Sequence, residues 1–354
     1  MQTNLSEAAK KLPRAEEAES ILRSCVHCGF CNATCPTYQL LGDELDGPRG
    51  RIYLMKQMLE GGEVTESTQL HLDRCLTCRN CETTCPSGVK YHNLLDIGRD
   101  FIEQQVQRPL GERVVRGGLR TVIPRPGLFK ALLGAGNALK PLMPASLKVH
   151  LPREIRPAKP RPQVMHQRRV LMLEGCVQQS LSPNTIEAGA EAIVQTASGC
   201  GAFVKEYGHL LKDDPAYAAK AARVSELAKD LVEVLRSAEL EKLDVRADKR
   251  MAFHCPCTLQ HAQKLGGAVE DVLTRLGYQL TAVPDAHLCC GSAGSYSITQ
   301  PEISHQLRDN KLNALESGKP EVIVTANIGC QTHLDGAGRT PVKHWIEVVE
   351  ESMQ

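Results

Sequence analysis

Residues 25–36 have the sequence CVHCGFCNATCP, and residues 75–86 repeat its cysteine spacing as CLTCRNCETTCP. Each run has the form C-x2-C-x2-C-x3-C-P. Three thiolates at three-residue steps can bind one face of an iron–sulfur cubane, whereas the fourth, beside a helix-breaking proline, points toward a second cluster. The spacing therefore predicts two [4Fe–4S] clusters, each with three ligands from one run and its fourth ligand from the other run. The first would use Cys25, Cys28, Cys31 and Cys85, and the second would use Cys75, Cys78, Cys81 and Cys35.

Zinc is the alternative metal for these cysteines. Structural zinc sites typically use two C-x2-C pairs separated by a loop. A tight run of three cysteines with a trailing Cys-Pro, present twice, favours iron and sulfide instead. The long step from Cys35 to Cys75 resembles the helical ferredoxin module of electron-transfer subunits in respiratory enzymes.

The overall composition excludes several classes of protein. The 354 residues include 42 basic and 41 acidic side chains, and only 4% are aromatic, so neither charge nor stacking surfaces favour nucleic acid as a partner. The chain has 15 cysteines and a polar, charged N-terminal stretch without an apolar signal segment. No window of about eighteen uncharged apolar residues predicts a membrane span. We therefore expect a cytoplasmic protein with metal or redox chemistry.

The chain divides into three predicted parts, which together indicate an α+β multi-domain protein. Residues 1–107 form an α-helical ferredoxin-type domain, with helices expected around 50–60 and 91–107. Residues 108–168 form a basic, proline-rich linker with short helices. Counted to Arg169, this stretch has fourteen Lys or Arg and two acidic residues. It is either a solvated connector or a docking face for an acidic partner or an anionic membrane surface.

The remaining part, 169–354, is predicted to be an α/β domain. Five short apolar runs, such as RRVLMLEGC and PEVIVTANIGC, each end at or beside a cysteine. Helical periodicity separates them, with a long helix expected over 214–236. Strands that alternate with helices form a largely parallel sheet, and ligands gather at the carboxyl ends of such strands. We expect the cysteines to collect there.

No cofactor-binding motif for a flavin or a nucleotide stands out. The stretch GAGNAL at 134–139 lacks the third glycine of a dinucleotide fingerprint and follows no clear strand, so a helix or turn is expected there. Iron–sulfur clusters carry single electrons, so the substrate-oxidising FAD is expected on another chain.

Three further motifs carry a family resemblance: CPC at 255–257, CCG at 289–291 and GCQTH at 329–333. They resemble the cysteine-rich CCG domain of heterodisulfide reductase subunits. Paired ferredoxin runs followed by such a domain resemble the iron–sulfur subunits of glycolate oxidase, lactate-utilisation and anaerobic glycerol-3-phosphate dehydrogenase systems. The stretches SCVHCGFC, LCCGSAGSYSITQPE and VTANIGCQTHL look most like the glycolate oxidase family.

The resemblance implies a flavin-linked complex that oxidises glycolate to glyoxylate. Electrons would pass from FAD on partner subunits, through the two clusters, toward the quinone pool. The complex would lie at the inner face of the cytoplasmic membrane, and this chain alone would have no catalytic residue and would only transfer electrons.

The CCG half contains a second candidate site. Cys257, Cys289, Cys290 and Cys330 follow apolar runs and are expected to form an additional cluster or redox site. This second repeat spans 250–334, whereas the first repeat, 169–204, lacks about fifty residues between Cys176 and Cys200. We therefore expect these two cysteines to form no equivalent site. Four histidines are expected to make local hydrogen bonds and not to bind metal: His254, His261, His287 and His344. Cys255 is expected to be a bystander beside Cys257. His333 is the histidine whose spacing to a motif cysteine, Cys330, is that of a ligand.

Other hypotheses remain open at this point. The same architecture could serve lactate or glycerol-3-phosphate oxidation. A zinc-stabilised scaffold and a stand-alone disulfide reductase acting through the C-terminal cysteines are hypotheses of other classes.

Overall fold

The computed structural model describes residues 1–140, 170–172 and 191–353. Within them the chain forms two compact units. The first, the N-terminal unit, contains residues 1–115 and 285–311, and the second, the C-terminal unit, contains 116–284 and 312–354. Residues 285–311, which carry the CCG motif, thus belong to the same unit as the two cysteine runs. The boundaries predicted at 107/108 and 168/169 remain predictions.

The N-terminal unit is helical. Its principal helices are α1 (Ala15–Ser24), α2 (Phe30–Ala33), α3 (Pro36–Leu41), α4 (Pro48–Leu59), α5 (Glu66–Asp73), α6 (Asn80–Thr84) and α7 (Tyr91–Glu103). Short 3-10 turns cover Ala9–Lys11 and Glu44–Asp46. The sequence supplies their end signals: Pro36 and Pro48 occupy first-turn positions, and the Thr65 side chain accepts a hydrogen bond from the Thr68 backbone N–H.

Two predicted helices form the core of this unit. Helix α4 buries Ile52, Met55 and Met58, and the helical segment ends just before Gly61, whose φ is +92°. Helix α7 buries its apolar face, and a Cβ at Gly98 would lie 2.7 Å from Met55 Sδ, so the two helices pack closely at this point. The buried core continues through Leu22, Leu59, Leu72, Leu94, Leu95 and Ile102.

Two helices follow the core of the N-terminal unit along the chain. They are α8 (Leu110–Val122) and α9 (Pro126–Leu139). The GAGNAL stretch lies inside α9, so it is helical as expected and forms no nucleotide-binding turn. Within the described residues, no helix combines the length and the apolar character needed to cross a lipid bilayer.

The C-terminal unit contains two parallel sheets. One has the strand order β1 (Val170–Met172), β2 (Ala192–Gln195) and β3 (Ala228–Asp230). In the other, β5 (Gln279–Leu280) lies beside β4 (Arg250–His254), followed by β6 (Val322–Thr325) and β7 (Val342–His344). Each predicted apolar run contributes one strand, and every strand pair named here is parallel, as the alternation with helices predicts.

Helices connect these strands. They are α10 (Ser198–Lys205), α11 (Tyr207–Leu210), α12 (Ala218–Leu227), α13 (Leu231–Arg236), α14 (Ala268–Arg275), α15 (Tyr296–Thr299), α16 (Pro301–Glu316), α17 (Ile328–Asp335) and α18 (Trp345–Glu351). Helix α15 and the first part of α16 belong to the N-terminal unit. A π-helix covers Thr258–Ala262, and a 3-10 turn covers Leu240–Lys242. The buried core around the four-stranded sheet includes Trp345, Val324, Leu273 and Met251.

The single helix predicted over 214–236 is wrong. The chain forms α12, then strand β3, then α13. Asp230 ends the strand and caps the next helix: its carboxylate accepts a hydrogen bond from the Val232 N–H, and Glu233 completes a capping box. Ala228 and Asp230 are both buried, and β3 pairs with β2. Tertiary pairing with β2 therefore overrides the helical periodicity.

Candidate metal centres

The two cysteine runs fold into loops with matching backbone conformations. In the first, His27 and Gly29 have positive φ angles of 59° and 85°. In the second, the corresponding residues Thr77 and Arg79 have φ angles of 53° and 60°. Left-handed conformations are costly outside glycine and concentrate at binding sites. Their recurrence at the same two positions shows that the two loops share one backbone conformation, as expected of two copies of the same binding motif.

Each run ends with a cysteine that departs from its loop. Cys35 is in an extended conformation immediately before Pro36, the first residue of α3. Cys85 is likewise extended at the end of α6, before Pro86. The loops are joined here, because the Asn80 side-chain N–H donates to the Thr34 carbonyl over 2.9 Å and the Thr84 hydroxyl donates to Thr34 Oγ1 over 3.2 Å.

Two cavities lie against these cysteines. The first cavity is lined by Cys25, Cys28, Cys31 and, from the other run, Cys85. The second is lined by Cys75, Cys78 and Cys81 together with Cys35 from the first run. Cys81 also borders the first cavity. With the shared Cys81 counted for the second cavity, each cavity has four cysteines, which fits the donor set of a [4Fe–4S] cluster, usually held by four cysteine thiolates. We name these the first and second cluster sites.

Burial makes three of these thiols, those of Cys25, Cys31 and Cys81, hard to ionise without a metal. Burial raises the pKa of Cys31 to about 11, and the neighbouring Cys25 and Cys28 sulfurs raise it further. Burial also raises the pKa values of Cys25 and Cys81. Thiolates crowded in this way need a nearby positive charge, which iron ions supply when they bind. Cys28 is the exposed member of the first site.

The CCG motif lies in the N-terminal unit. Cys289 and Cys290 are both buried, and the Gly291 backbone N–H donates to Cys289 Sγ over 3.4 Å. Gly291 has a φ of +87°, and a Cβ there would lie 2.6 Å from the Ser304 carbonyl oxygen. The glycine of the motif is therefore required by both its backbone conformation and its closeness to α16.

Two hydrogen bonds join the CCG segment to the second cysteine run. Asn80, between Cys78 and Cys81, donates through Nδ2 to the His287 carbonyl over 3.3 Å. The Tyr296 hydroxyl donates to the Arg74 carbonyl over 3.1 Å, directly before Cys75. Tyr296 is buried, which raises its pKa far above the ordinary value and keeps the phenol protonated. The segment with Cys289 and Cys290 is thus attached to the backbone of the second cluster site.

The other predicted CCG residues lie in the C-terminal unit. Cys330 is buried in the first turn of α17, directly after β6, and Cys257 precedes the π-helix after β4. π-Helical turns recur at functional sites.

A ring nitrogen of the buried His254 lies within 4.8 Å of Cys330 Sγ. The sequence favours a local role for His254 and points to His333 as the histidine with ligand spacing. The signal that this interpretation missed is that His254 is the last residue of β4, which pairs with β6.

The remaining candidates have less distinctive positions. Cys200 is half-buried in α10, Cys255 is buried after β4, and Cys176 lies outside the described residues. His344 has local partners as expected: its Nε2 lies 2.9 Å from the Thr196 carbonyl, and its Nδ1 accepts a hydrogen bond from the Ile346 N–H. Burial lowers the pKa of His344, which favours the neutral ring.

Comparison with known protein families agrees with this arrangement. Residues 21–89 match the 4Fe-4S dicluster domain, and residues 251–335 match the cysteine-rich domain CCG. The chain is 62% identical to the glycolate oxidase iron-sulfur subunit of Escherichia coli, over the full length of both chains. It is 32% identical to the probable glycolate oxidase iron-sulfur subunit of Bacillus subtilis, over 90% of this chain and 88% of the relative.

More limited similarity extends to a third protein. Lactate utilization protein A of Bacillus velezensis is 32% identical over 42% of this chain and 63% of its own length. The alignment with the Escherichia coli relative spans 405 positions, whereas this chain has 354 residues. At least 51 positions of that alignment therefore have no residue in this chain.

Proposed function

Because the chain belongs to the family of glycolate oxidase iron–sulfur subunits, we propose that it transfers electrons within a glycolate-oxidising complex. Two sites with four cysteines each, in a domain of the dicluster family, carry this proposal. We assign the first cluster site to Cys25, Cys28, Cys31 and Cys85, and the second to Cys75, Cys78, Cys81 and Cys35. When bound, each cluster accepts and releases one electron.

The residues of the chain have three roles in this transfer. The eight cysteines hold the iron, the left-handed loop residues fix their spacing, and the surrounding helices keep water away from three of the sulfurs. Cys25, Cys35 and Cys81 are each at most 8% exposed. Exposed Cys28 marks the side of the first site that is open to solvent or to a partner chain.

We place the oxidation of glycolate to glyoxylate on partner subunits that carry FAD. Single clusters move one electron at a time, whereas this oxidation releases two, and a flavin can divide that pair. The electrons would then leave toward the quinone pool.

The basic segment supports attachment to the inner face of the cytoplasmic membrane. In α8, no residue is buried, and Leu110 and Val114 are 75% and 72% exposed. Arg113, Arg116 and Arg120 recur at three- and four-residue spacing along the same helix and so share one side. A helix with an apolar side and a cationic side is suited to an anionic lipid surface.

A further redox or cluster site in the CCG half remains part of the proposal, with Cys257, Cys289, Cys290 and Cys330 as its residues. The 51 alignment positions without a residue here agree in number with the roughly fifty that we find missing from the first repeat. We therefore expect iron in this half to fall with Cys289→Ser or Cys290→Ser and to be unchanged by Cys176→Ser or Cys200→Ser. Equal loss of iron in both pairs of variants would show that both repeats build one shared site.

Lactate is the second candidate substrate, because lactate utilization proteins match part of the chain. The test is to assemble the chain with its flavin-containing partners and add glycolate or lactate under anaerobic conditions. Glycolate should bleach the iron–sulfur absorbance within a turnover, lactate should do so more slowly, and the chain alone should respond to neither. Faster bleaching by lactate would transfer the assignment to lactate, and bleaching of the isolated chain would overturn the role as an electron-transfer subunit.

A further inference from the structure

The two cluster sites lie in different electrostatic surroundings. Arg51 lines the second cavity and is 1% exposed. Its Nε donates to the His71 carbonyl over 2.7 Å, and its Nη1 donates to Thr37 Oγ1 over 3.1 Å. A guanidinium group remains charged in proteins, so the second cavity is bordered by a fixed positive charge that water does not screen.

The counter-charge for Arg51 is shared. Asp46, which is fully buried, accepts a hydrogen bond from Arg51 Nη2 at 3.3 Å and another from Arg74 Nη1 at 2.8 Å. One carboxylate therefore serves two guanidinium groups. His71 Nδ1 lies 3.1 Å from the same carboxylate, and a carboxylate oxygen of the exposed Asp43 lies within 4.8 Å of both groups. Of these two guanidinium groups and two carboxylates, Arg51 is the one that lines the second cavity, so its positive charge borders the second cluster site.

Hydrogen-bond donors also reach the sulfurs of the second cluster site. The Tyr91 hydroxyl lies 3.6 Å from Cys75 Sγ, and the Thr77 backbone N–H donates to the same sulfur over 3.4 Å. The His27 backbone makes the equivalent hydrogen bond to Cys25 in the first site, so the Tyr91 hydroxyl is the donor to this sulfur that distinguishes the two sites. The Thr37 hydroxyl lies 3.3 Å from Cys35 Sγ. Donors to cluster sulfurs stabilise the reduced state, which carries one more negative charge.

At the first cluster site, the half-buried Met1 ammonium group donates to the Cys25 carbonyl over 2.7 Å, and the arginine beside the cavity is less buried than Arg51. Arg49 lines that cavity, but its Nε binds Glu44 at 2.6 Å, and the two side chains are 36% and 41% exposed. An ion pair whose charges cancel and that contacts solvent changes the reduction potential of a nearby cluster little, because water screens the two charges. The two cavities thus differ in the arginines that line them: Arg51, fully buried, and Arg79, half-buried, line the second, whereas Arg49, paired with Glu44, lines the first.

We propose that Arg51, together with the Tyr91 hydroxyl, raises the reduction potential of the second cluster above that of the first. This inference rests on the proposed electron-transfer function. Electrons then pass from the first site to the second, one at a time, with no bond made or broken and no proton moved. The second site is also the one whose loop is attached to the CCG segment through Asn80, so it forms the exit side of the pair.

The test is a potentiometric titration of the full, cluster-loaded chain, followed by electron paramagnetic resonance. Cys28→Ser and Cys78→Ser identify the couple that belongs to each site. We expect the higher-potential couple to be the one altered by Cys78→Ser. Arg51→Gln should lower that couple and leave the other unchanged. Tyr91→Phe should lower it by more than it shifts the other, because the Tyr91 side chain lines both cavities but its hydroxyl lies on Cys75 Sγ. Arg51→Lys keeps the charge and should retain most of the potential, and Arg49→Gln is the matched exposed control.

Several outcomes would overturn the inference. One is a higher-potential couple that follows Cys28→Ser. Another is an unchanged second couple in Tyr91→Phe, which removes a single oxygen and keeps the ring, so that it decides the question even if Arg51→Gln fails to fold. Equal shifts of both couples would also contradict it. If the wild-type chain shows no iron–sulfur couples, the proposed function fails instead, so the two failures are distinguishable.

Discussion

The Ser304 carbonyl oxygen lies 2.6 Å from the point that a Cβ atom at Gly291 would occupy. Real Cβ atoms do not approach backbone oxygens this closely, so residue 291 must be glycine or the segment must move. The Ser304 hydroxyl also donates to the Gly291 carbonyl over 2.8 Å. This contact fixes the turn that follows Cys289 and Cys290 against helix α16.

Gly291→Ala is therefore expected to destabilise the N-terminal unit. The left-handed φ and the contact with Ser304 together should cost about 3 kcal/mol. Gly294→Ala is the matched control, because Gly294 also has a positive φ, of 64°, but a Cβ there would meet nothing within 4 Å. It should cost about 1 kcal/mol. Thermal melting of the loaded chain gives the comparison, and equal melting temperatures for the two variants would show that the close contact has no effect.

The crossed assignment of the fourth cysteines makes a pairwise prediction. Cys85→Ser should give the same cluster spectrum as Cys28→Ser, because both residues line the first cavity. Cys35→Ser should match Cys78→Ser, because both of these residues line the second. Electron paramagnetic resonance of the reduced variants distinguishes the sites. If Cys85→Ser instead matched Cys78→Ser, each run would complete its own cluster and the assignment would be wrong.

Helix α8 is predicted to bind anionic membranes. Each basic residue near such a surface contributes about 1 kcal/mol, so replacing Arg113, Arg116 and Arg120 by glutamine should weaken binding on the order of a hundredfold. Sedimentation with vesicles that contain phosphatidylglycerol measures this. Binding should also weaken with added salt, since the Debye length is about 8–10 Å at 0.1–0.15 M.

A control of equal charge uses Arg223, Lys242 and Arg246, which are exposed side chains elsewhere in the chain. Their replacement by glutamine should leave vesicle binding nearly unchanged. Equal loss of vesicle binding in both triple variants would indicate that binding depends on the net charge of the chain and not on helix α8. Binding to neutral phosphatidylcholine vesicles that does not depend on salt would contradict the electrostatic account.

Local sequence patterns predicted much of the fold. The helices around Ile52 and Leu94 follow from apolar periodicity and their end signals, and the apolar runs at 192–195 and 322–325 are buried parallel strands. These features depend on neighbours within a few residues. Strand β3 was missed for the opposite reason, because its pairing with β2 joins residues far apart in the sequence.

The candidate site was predictable only in part. Cysteine spacing is local, and the structure lines two cavities with the eight cysteines that the spacing singled out, although their role as iron ligands remains a prediction. The buried Arg51–Asp46 pair depends on long-range packing, and an arginine in an amphipathic helix is ordinarily expected to face solvent. The grouping of residues 285–311 with the cysteine runs likewise depends on contacts such as Tyr296 with Arg74.

The most direct test of the central claim is the metal and sulfide content of the anaerobically purified chain. Two [4Fe–4S] clusters predict about eight iron atoms and about eight acid-labile sulfides per chain from the N-terminal runs, with further iron only if the CCG half holds a cluster. The Cys289→Ser variant should therefore retain at least about eight of each. Stoichiometric zinc without acid-labile sulfide would contradict the account.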